Sequence, residues 1–258
     1  MAYKAFDLTG KTVLITGGNS GIGLGMAEAL AQAGAGVAIW GTNSEKNEAA
    51  LKKITSHGGK AIAMKCDVGD EKEVETRFAE TVKALGPLHG CFANAGVSGR
   101  ANVKSFTEMD AEEWKRVTRV NLDGAFYTLR AAARHMVEHG KGGALVGTAS
   151  LAAISGQPRG EHYAATKGAV ISMTKSLCVE YARYGIRANA ILPGWIETPM
   201  TQKTFAWDKF AANVKPRIPM RRWGTKEDFG GIAVYLLSDA SSYHSGDTFI
   251  IDGGYYTF

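Results

Sequence analysis

Tyr163 and Lys167 stand four residues apart in the run Tyr163-Ala164-Ala165-Thr166-Lys167. On a helix, residues i and i+4 share a face, so this spacing can point a phenol and an ammonium into one cleft. A nearby cation favours the phenolate and lowers a tyrosine pKa from about 10, which suits Tyr163 to trade a proton near neutral pH. Five such residues also occur by chance on surface helices, and it is Ser150, thirteen residues earlier, that gives the pair a context. It follows an expected strand, at the end where ligands of a parallel sheet collect. Much nearer the N-terminus lies Thr16-Gly17-Gly18-Asn19-Ser20-Gly21-Ile22-Gly23. Glycines there permit a tight turn and let the backbone approach a pyrophosphate, which would sit on the free N–H groups opening the next helix.

Elements that would position these groups are legible in the hydrophobic pattern. Short β-branched runs at 12–16, 36–40, 61–66, 88–93, 144–148, 187–191 and 248–251 alternate with longer amphipathic stretches. Strands separated by helices imply an α/β fold of the Rossmann type, a doubly wound sheet of about seven parallel strands with helices on both faces. Ligands of such sheets collect at the carboxyl ends of the strands, where Gly17 and Ser150 would both lie. No linker or repeat interrupts the rhythm, and the reading is a single domain over 1–258. Its one irregular stretch is 194–224, which carries Pro199, Pro216 and Pro219 and is expected to form a lid or binding segment.

The 258 residues are 45% hydrophobic and 21% charged, a composition that excludes disorder and fibres. Cys66, Cys91 and Cys178 are an odd, scattered set without a C-x-x-C pair, which points to reduced thiols and away from a zinc site or any other metal. The beginning has no apolar core of a secretory signal, and the longest uncharged run, 142–158, is too rich in Gly, Ser and Thr to span a membrane. A cytoplasmic protein is expected. The net charge of +5 is spread along the chain without a basic run, so a solvated surface explains it better than nucleic acid does.

With these motifs in register, the sequence resembles the short-chain dehydrogenase/reductase family over essentially its whole length. The glycine turn has the family's T-G-x-x-x-G-x-G form, Asn94-Ala95-Gly96 matches the N-A-G after the fourth strand, and Asn121, Ser150, Tyr163 and Lys167 occupy the positions of the catalytic tetrad. Pro193-Gly194, with Ile196 and Thr198 beyond, looks like the segment that family members place against the nicotinamide, and Asp252-Gly253-Gly254 resembles the usual end of the last strand. The resemblance implies that Tyr163 is the proton donor or acceptor. Ser150 would hold the substrate oxygen at reacting distance, Lys167 would bind the nicotinamide ribose and lower the phenol pKa, and Asn121 would hold a water that replenishes the proton. Gly17, Asn19, Ser20, Gly21, Ile22 and Gly23 would cradle the pyrophosphate. Asp67 and Val68 would contact the adenine, although Asp67 is by local reasoning an equally good helix N-cap. Asn94, Ala95 and Gly96 would lie by the adenosine ribose. His162, next to Tyr163, is assigned nothing by the family and points elsewhere on the helix.

For the cofactor, Gly41 stands where NAD-specific members put Asp, so a 2′-phosphate is not repelled. Thr42 and Ser20 replace the basic residues of other NADP-specific members, yet Thr42, Asn43 and Ser44 could bind a phosphate with Lys46 nearby. NADP(H) is favoured over NAD(H). The expected activity is hydride transfer between a nicotinamide and a secondary alcohol or ketone. Trp195, Ile196, Met200, Phe205, Trp207, Phe210 and Met220 in the 194–224 segment suggest a lipophilic or cyclic substrate, with Trp195 and Phe205 covering it beside Tyr163 and Ser150. The alternatives are reduction of a 3-oxoacyl group on an acyl carrier protein, and a dinucleotide-binding regulator that has lost the chemistry. The resemblance also implies a homotetramer, in which the apolar tail from Tyr255 to Phe258 would be covered by a partner.

Overall fold

In β1 (Thr12–Thr16) and β2 (Gly36–Gly41), neighbouring residues serve opposite faces of one sheet. Val13, Ile15, Val37 and Ile39 are buried on one side, and Leu14, Ala38 and Trp40 on the other. Strands apolar on both faces need cover on both faces, which parallel crossovers supply. The computed structural model, which describes residues 3–99 and 102–258, shows that arrangement. Its seven strands are all parallel in the order β3-β2-β1-β4-β5-β6-β7. After β1 come α1 (Gly21–Gln32), β2, α2 (Ser44–Thr55), β3 (Ala61–Lys65), α3 (Glu71–Leu85) and β4 (Gly90–Ala93). The second half runs through α4 (Ala111–Thr118), α5 (Gly124–His139), β5 (Gly143–Thr148), α6 (Glu161–Tyr181) and β6 (Ile186–Pro193). It ends with α7 (Gln202–Phe205), α8 (Asp208–Val214), α9 (Gly230–Leu237) and β7 (Thr248–Ile251). Residues of α1, α2 and α9 close one face, and those of α3, α5 and α6 the other. The expected fold class stands, with strand ends moved by no more than two residues.

Two features depart from a plain alternation. Between α4 and α5 the helix opens into a π-helical turn, Arg119–Asp123, that carries the buried Asn121. Such turns insert one residue into a helix and re-aim its side chains. The segment after β6 begins and ends at one place: Ile196 bridges to Gly224, Glu197 N–H donates to the Gly224 carbonyl, and Gly224 N–H donates to that of Trp195.

At the amino ends of β1 and β4, far from the strand ends that form the cleft, three histidines accept main-chain N–H bonds. His89 Nδ1 takes that of Thr12, His135 Nε2 that of Leu88 and His139 Nδ1 that of Lys141, each at 3.1 Å. The His135 and His139 rings lie 4.9 Å apart. Burial holds His89 and His135 below the ordinary histidine range, helped by His139; Lys11 and Lys141 add to this at His89, and Glu138 opposes it at His135. The unfolded chain therefore takes up protons from about pH 6.5 downward, before the folded chain does. Stability is complete above that pH and is lost as pH falls through it toward the lower folded values. The melting temperature should drop between pH 6.5 and 5.5, and His135→Gln, which can still accept from Leu88, should flatten the slope. A melting temperature constant across that window would refute this assignment.

Candidate active site

β1 and β4 are neighbours whose following helices pack on opposite faces of the sheet, so a crevice opens at their carboxyl ends. It is a cavity of about 570 Å³, within the range of small-molecule sites. Gly17 (φ +65°) and Gly21 (φ +51°) turn the chain there in conformations that other residues adopt only with strain. Ser20 sits at the N-cap of α1 without capping it, its hydroxyl turned toward Asn19 Oδ1 at 3.4 Å. The first N–H groups of α1 thus lack a side-chain partner and open on the cavity, as a pyrophosphate requires. Asn19, Ile22 and Gly23 complete this wall. Asn94, Ala95 and Gly96 form the opposite one, fastened to β1 because Thr16 Oγ1 accepts the N–H groups of both Asn94 and Ala95 at 3.0 Å.

Beyond β2 the rim carries Gly41, Thr42, Asn43 and Lys46. A Cβ on Gly41 would stand 2.1 Å from Asn19 Nδ2 and 2.6 Å from Asn47 Oδ1. Those two amides bond to each other at 2.7 Å, and the buried Asn47 also donates to the Gly41 and Met64 carbonyls. Glycine at this position therefore has a packing cause that was not visible in the sequence. Asp67 and Val68 lie along the same cavity. Asp67 is not a helix cap: Asp70 caps α3 by accepting from Glu73 N–H, whereas Asp67 accepts from Arg119 at 2.9 Å and from Gly69 N–H at 3.0 Å.

The candidate proton-transfer groups meet at the other end. α6 brings Tyr163 and Lys167 to the cavity where Ser150, Pro193, Gly194, Ile196 and Thr198 also line it. Lys167 is buried and donates to the Thr148 carbonyl at 2.7 Å, and burial pulls its ammonium down to about 8. The lowering of the Tyr163 pKa expected from Lys167 is not what the geometry gives. Burial pushes the phenol up, and it is the Ser150 hydroxyl that pulls the other way. The ammonium lies 5.7 Å from the ring centroid, itself poorly solvated, so desolvation decides the direction. Asn121 Oδ1 accepts from Val97 N–H at 2.7 Å and its Nδ2 donates to the Val97 carbonyl at 3.0 Å, so the side chain clamps the loop after β4.

A family model described as enoyl-(acyl carrier protein) reductase matches residues 17–256. The chain is 36% identical over 253 residues to a 2,5-dichloro-2,5-cyclohexadiene-1,4-diol dehydrogenase of Sphingobium indicum, covering 96% of this chain and 98% of that one. A short-chain type dehydrogenase/reductase from Mycobacterium marinum superposes with a TM-score of 0.92 at 37% identity over 98% of each chain. A gluconate 5-dehydrogenase from Burkholderia cenocepacia, solved with NADP and tartrate, gives 0.93 at 34% identity over 100% of each. The chain belongs to the short-chain dehydrogenase/reductase family. It is an oxidoreductase, and the reading as a silent regulator falls away.

Two substrate residues expected for this short-chain dehydrogenase/reductase are not in the cavity. Trp195 and Phe205 belong to a separate cluster with Phe210, Ile218, Trp223 and Tyr255. Phe205 stacks on Trp223 at 4.1 Å, and Trp195 meets Phe210 edge-on at 5.0 Å. Four of the five aromatic residues of the irregular segment, Trp195, Phe205, Phe210 and Trp223, thus pack on one another, while Trp207 stays exposed. Met200, Pro199 and Thr201 reach the cavity instead, as do Val97, Arg116 and Arg119 from the β4 side. Composition alone did not separate Met200 from its neighbours. Arg116 and Arg119, three residues apart on one helical face leading to Asn121, were detectable by spacing. Among the described residues no group of three or more His, Cys, Asp or Glu could hold a metal, and no helix is long and apolar enough to cross a membrane.

Proposed function

We propose that this enzyme interconverts an uncharged cyclic secondary alcohol and its ketone with NADP(H) as the preferred cofactor. The observation that carries the substrate class is the cavity wall, where Val97, Ile196, Pro199 and Met200 are apolar and the two arginines, Arg116 and Arg119, are already engaged by Glu113 and Asp67. Arg116 Nε and Nη2 donate to Glu113 at 2.7 and 2.9 Å, and Nη2 also donates to the Ser98 carbonyl. A substrate carboxylate would have to compete with Glu113 for that fork. The Sphingobium relative is named for a cyclic diol, which agrees; the Burkholderia enzyme is named for a sugar acid, which supplies the contrast to test. NADP(H) is favoured because the β2 rim offers Lys46 and no carboxylate, with Gly41 held free of a side chain by Asn19 and Asn47.

The bound nicotinamide supplies or takes up the hydride. Tyr163 gives its phenolic proton to the carbonyl oxygen in reduction and takes it back in oxidation. Ser150 binds that oxygen, and its own Oγ is steadied by accepting from Ala152 N–H at 3.2 Å. Lys167, tethered to Thr148, keeps further N–H donors for ribose hydroxyls. The chain acts as one domain over 1–258 with 194–224 bounding the substrate end. We place it in the cytoplasm, on its three unpaired thiols, of which Cys66 and Cys91 are buried. We also place it in a homotetramer: Phe126 on α5, Val179 on α6 and Phe258 in the tail are exposed apolar side chains. Light scattering reads the assembly. The decisive assay compares NADPH and NADH against cyclic ketones, 5-ketogluconate and a 3-oxoacyl thioester. A higher kcat/KM for cyclic ketones, and at least tenfold for NADPH over NADH, about 1.4 kcal/mol, is expected. Faster turnover of the sugar acid or the thioester, or a preference for NADH, would overturn the corresponding part.

A further inference from the structure

We propose that His162 is a positioning residue for Tyr163: wedged against Gly99 and bonded to Glu113, it fastens the first turn of α6 to the loop after β4. This rests on the reading of Tyr163 as the proton donor. The turn that carries the phenol starts without a side-chain cap. Gly160, the N-cap of α6, offers no side chain, and the only residue before His162 in the helix is Glu161. His162 itself is 0% exposed. It faces the side of the helix away from the cavity, where its Nε2 lies 3.4 Å from Glu113 Oε1.

Glu113 is a fixed point. Arg116 grips both its oxygens, Asn102 Nδ2 donates to it at 3.1 Å, and Arg116 in particular holds its carboxyl down to about 2. A carboxylate only accepts hydrogen bonds, so Nε2–H of His162 is the donor to Glu113, and its Nδ1 is buried with no hydrogen-bond partner among the described residues. A leucine would fill much of the same space but could offer no donor to Glu113, and that donor is what the imidazole adds here.

The loop records the same contact. A Cβ on Gly99 would lie 1.8 Å from His162 Nε2 and 2.7 Å from Glu113 Oε1. Gly99 is not among the glycines with positive φ, so it is the imidazole and not the backbone that requires glycine here. The adjoining Ser98 and Val97 are held by Arg116 and Asn121, and Val97 lines the cavity. His162 and Tyr163 are thus back to back: one side chain is seated in the frame made by α4 and the loop, and the other reaches the substrate.

The test uses His162→Leu, which keeps the bulk, His162→Gln, whose amide nitrogen reaches as far as Nε2, and Gly99→Ala with and without His162→Ala. Each is assayed for kcat with the best ketone, for NADPH affinity by fluorescence titration and for melting temperature. His162→Leu should lower kcat at least tenfold with NADPH Kd changed less than threefold, and His162→Gln should recover most of the loss. Gly99→Ala should lower kcat alone and be partly rescued by His162→Ala. Full kcat in His162→Leu, no advantage of Gln over Leu, a matching loss of NADPH affinity, or no rescue in the double variant would overturn the proposal. If His162→Leu does not fold, the Gln variant and the Gly99 pair decide it. Should Tyr163→Phe keep its activity, the reading of Tyr163 fails instead, and that variant separates the two.

Discussion

Replacing Tyr163 by phenylalanine should lower kcat at least a hundredfold while leaving NADPH affinity nearly unchanged. A positioned general acid is worth about 10²–10⁴ in rate, and the phenol is the group in this cavity that can lend a proton to a bound carbonyl oxygen. Its pKa is raised by burial and only partly drawn back by Ser150, so Tyr163 holds its proton throughout the neutral range. Reduction therefore starts from the protonated, neutral phenol, whereas oxidation must first remove that proton. The ring of the phenylalanine variant keeps its place on α6, and Lys167 keeps its bond to Thr148, so the cofactor side of the cavity is untouched. Lys167→Ala should behave differently and weaken both steps, because one ammonium anchors the cavity floor and faces the ring. If the phenylalanine variant retained a tenth of wild-type kcat, the proton donor would have to be sought elsewhere.

The sequence pattern brought these residues together because period and spacing are local properties. An apolar β-branched strand such as Thr12–Thr16 and an i, i+4 pair such as Tyr163 and Lys167 need no knowledge of the rest of the chain. The candidate catalytic pair, Ser150 and the candidate cofactor residues, those of the glycine turn among them, all line one cavity. What the pattern could not supply were effects set by distant neighbours. Gly41 looked like a missing carboxylate, but its cause is an amide pair between Asn19 and Asn47, 28 residues apart. Asp67 reads locally as a cap or an adenine ligand, and only its bonds to Arg119, 52 residues on, and to Gly69 N–H exclude the cap. The aromatic residues of 194–224 pointed to a ligand because a loop cannot normally bury so many rings. Here Phe205, Phe210 and Trp223 stack within 6.3 Å of one another, a small core of their own. The direction of the Tyr163 shift has a related cause: burial is a tertiary quantity, and it outweighs the opposing bond from the Ser150 hydroxyl.

Two glycines on the first turns of α1 should separate binding from stability when each is replaced by alanine. A Cβ on Gly23 would lie 2.4 Å from the Gly17 carbonyl oxygen and 2.6 Å from Asn94 Nδ2, both parts of the cavity wall. A carbonyl cannot rotate away as a side chain can, so the glycine turn must open, and the N–H groups that face the pyrophosphate shift with it. A Cβ on Gly25 would lie 2.1 Å from the carbonyl oxygen of Lys226. That carbonyl belongs to the turn Lys226–Phe229, which packs against α1 and is tied to it by the Lys226–Glu28 ion pair, outside the cavity. Overpacking costs typically about 1–3 kcal/mol, and alanine returns up to about 1 kcal/mol through its better helix propensity. At Gly23 the remainder should appear mainly as a Kd for NADPH raised about tenfold or more, since 1.4 kcal/mol is a factor of ten. At Gly25 it should appear as a lower melting temperature with NADPH affinity unchanged in the folded protein. Equal loss of affinity in the two variants would mean that α1 moves as one body and that the glycine turn has no special part in holding the dinucleotide. Unchanged affinity in Gly23→Ala would remove the turn from the cofactor site altogether.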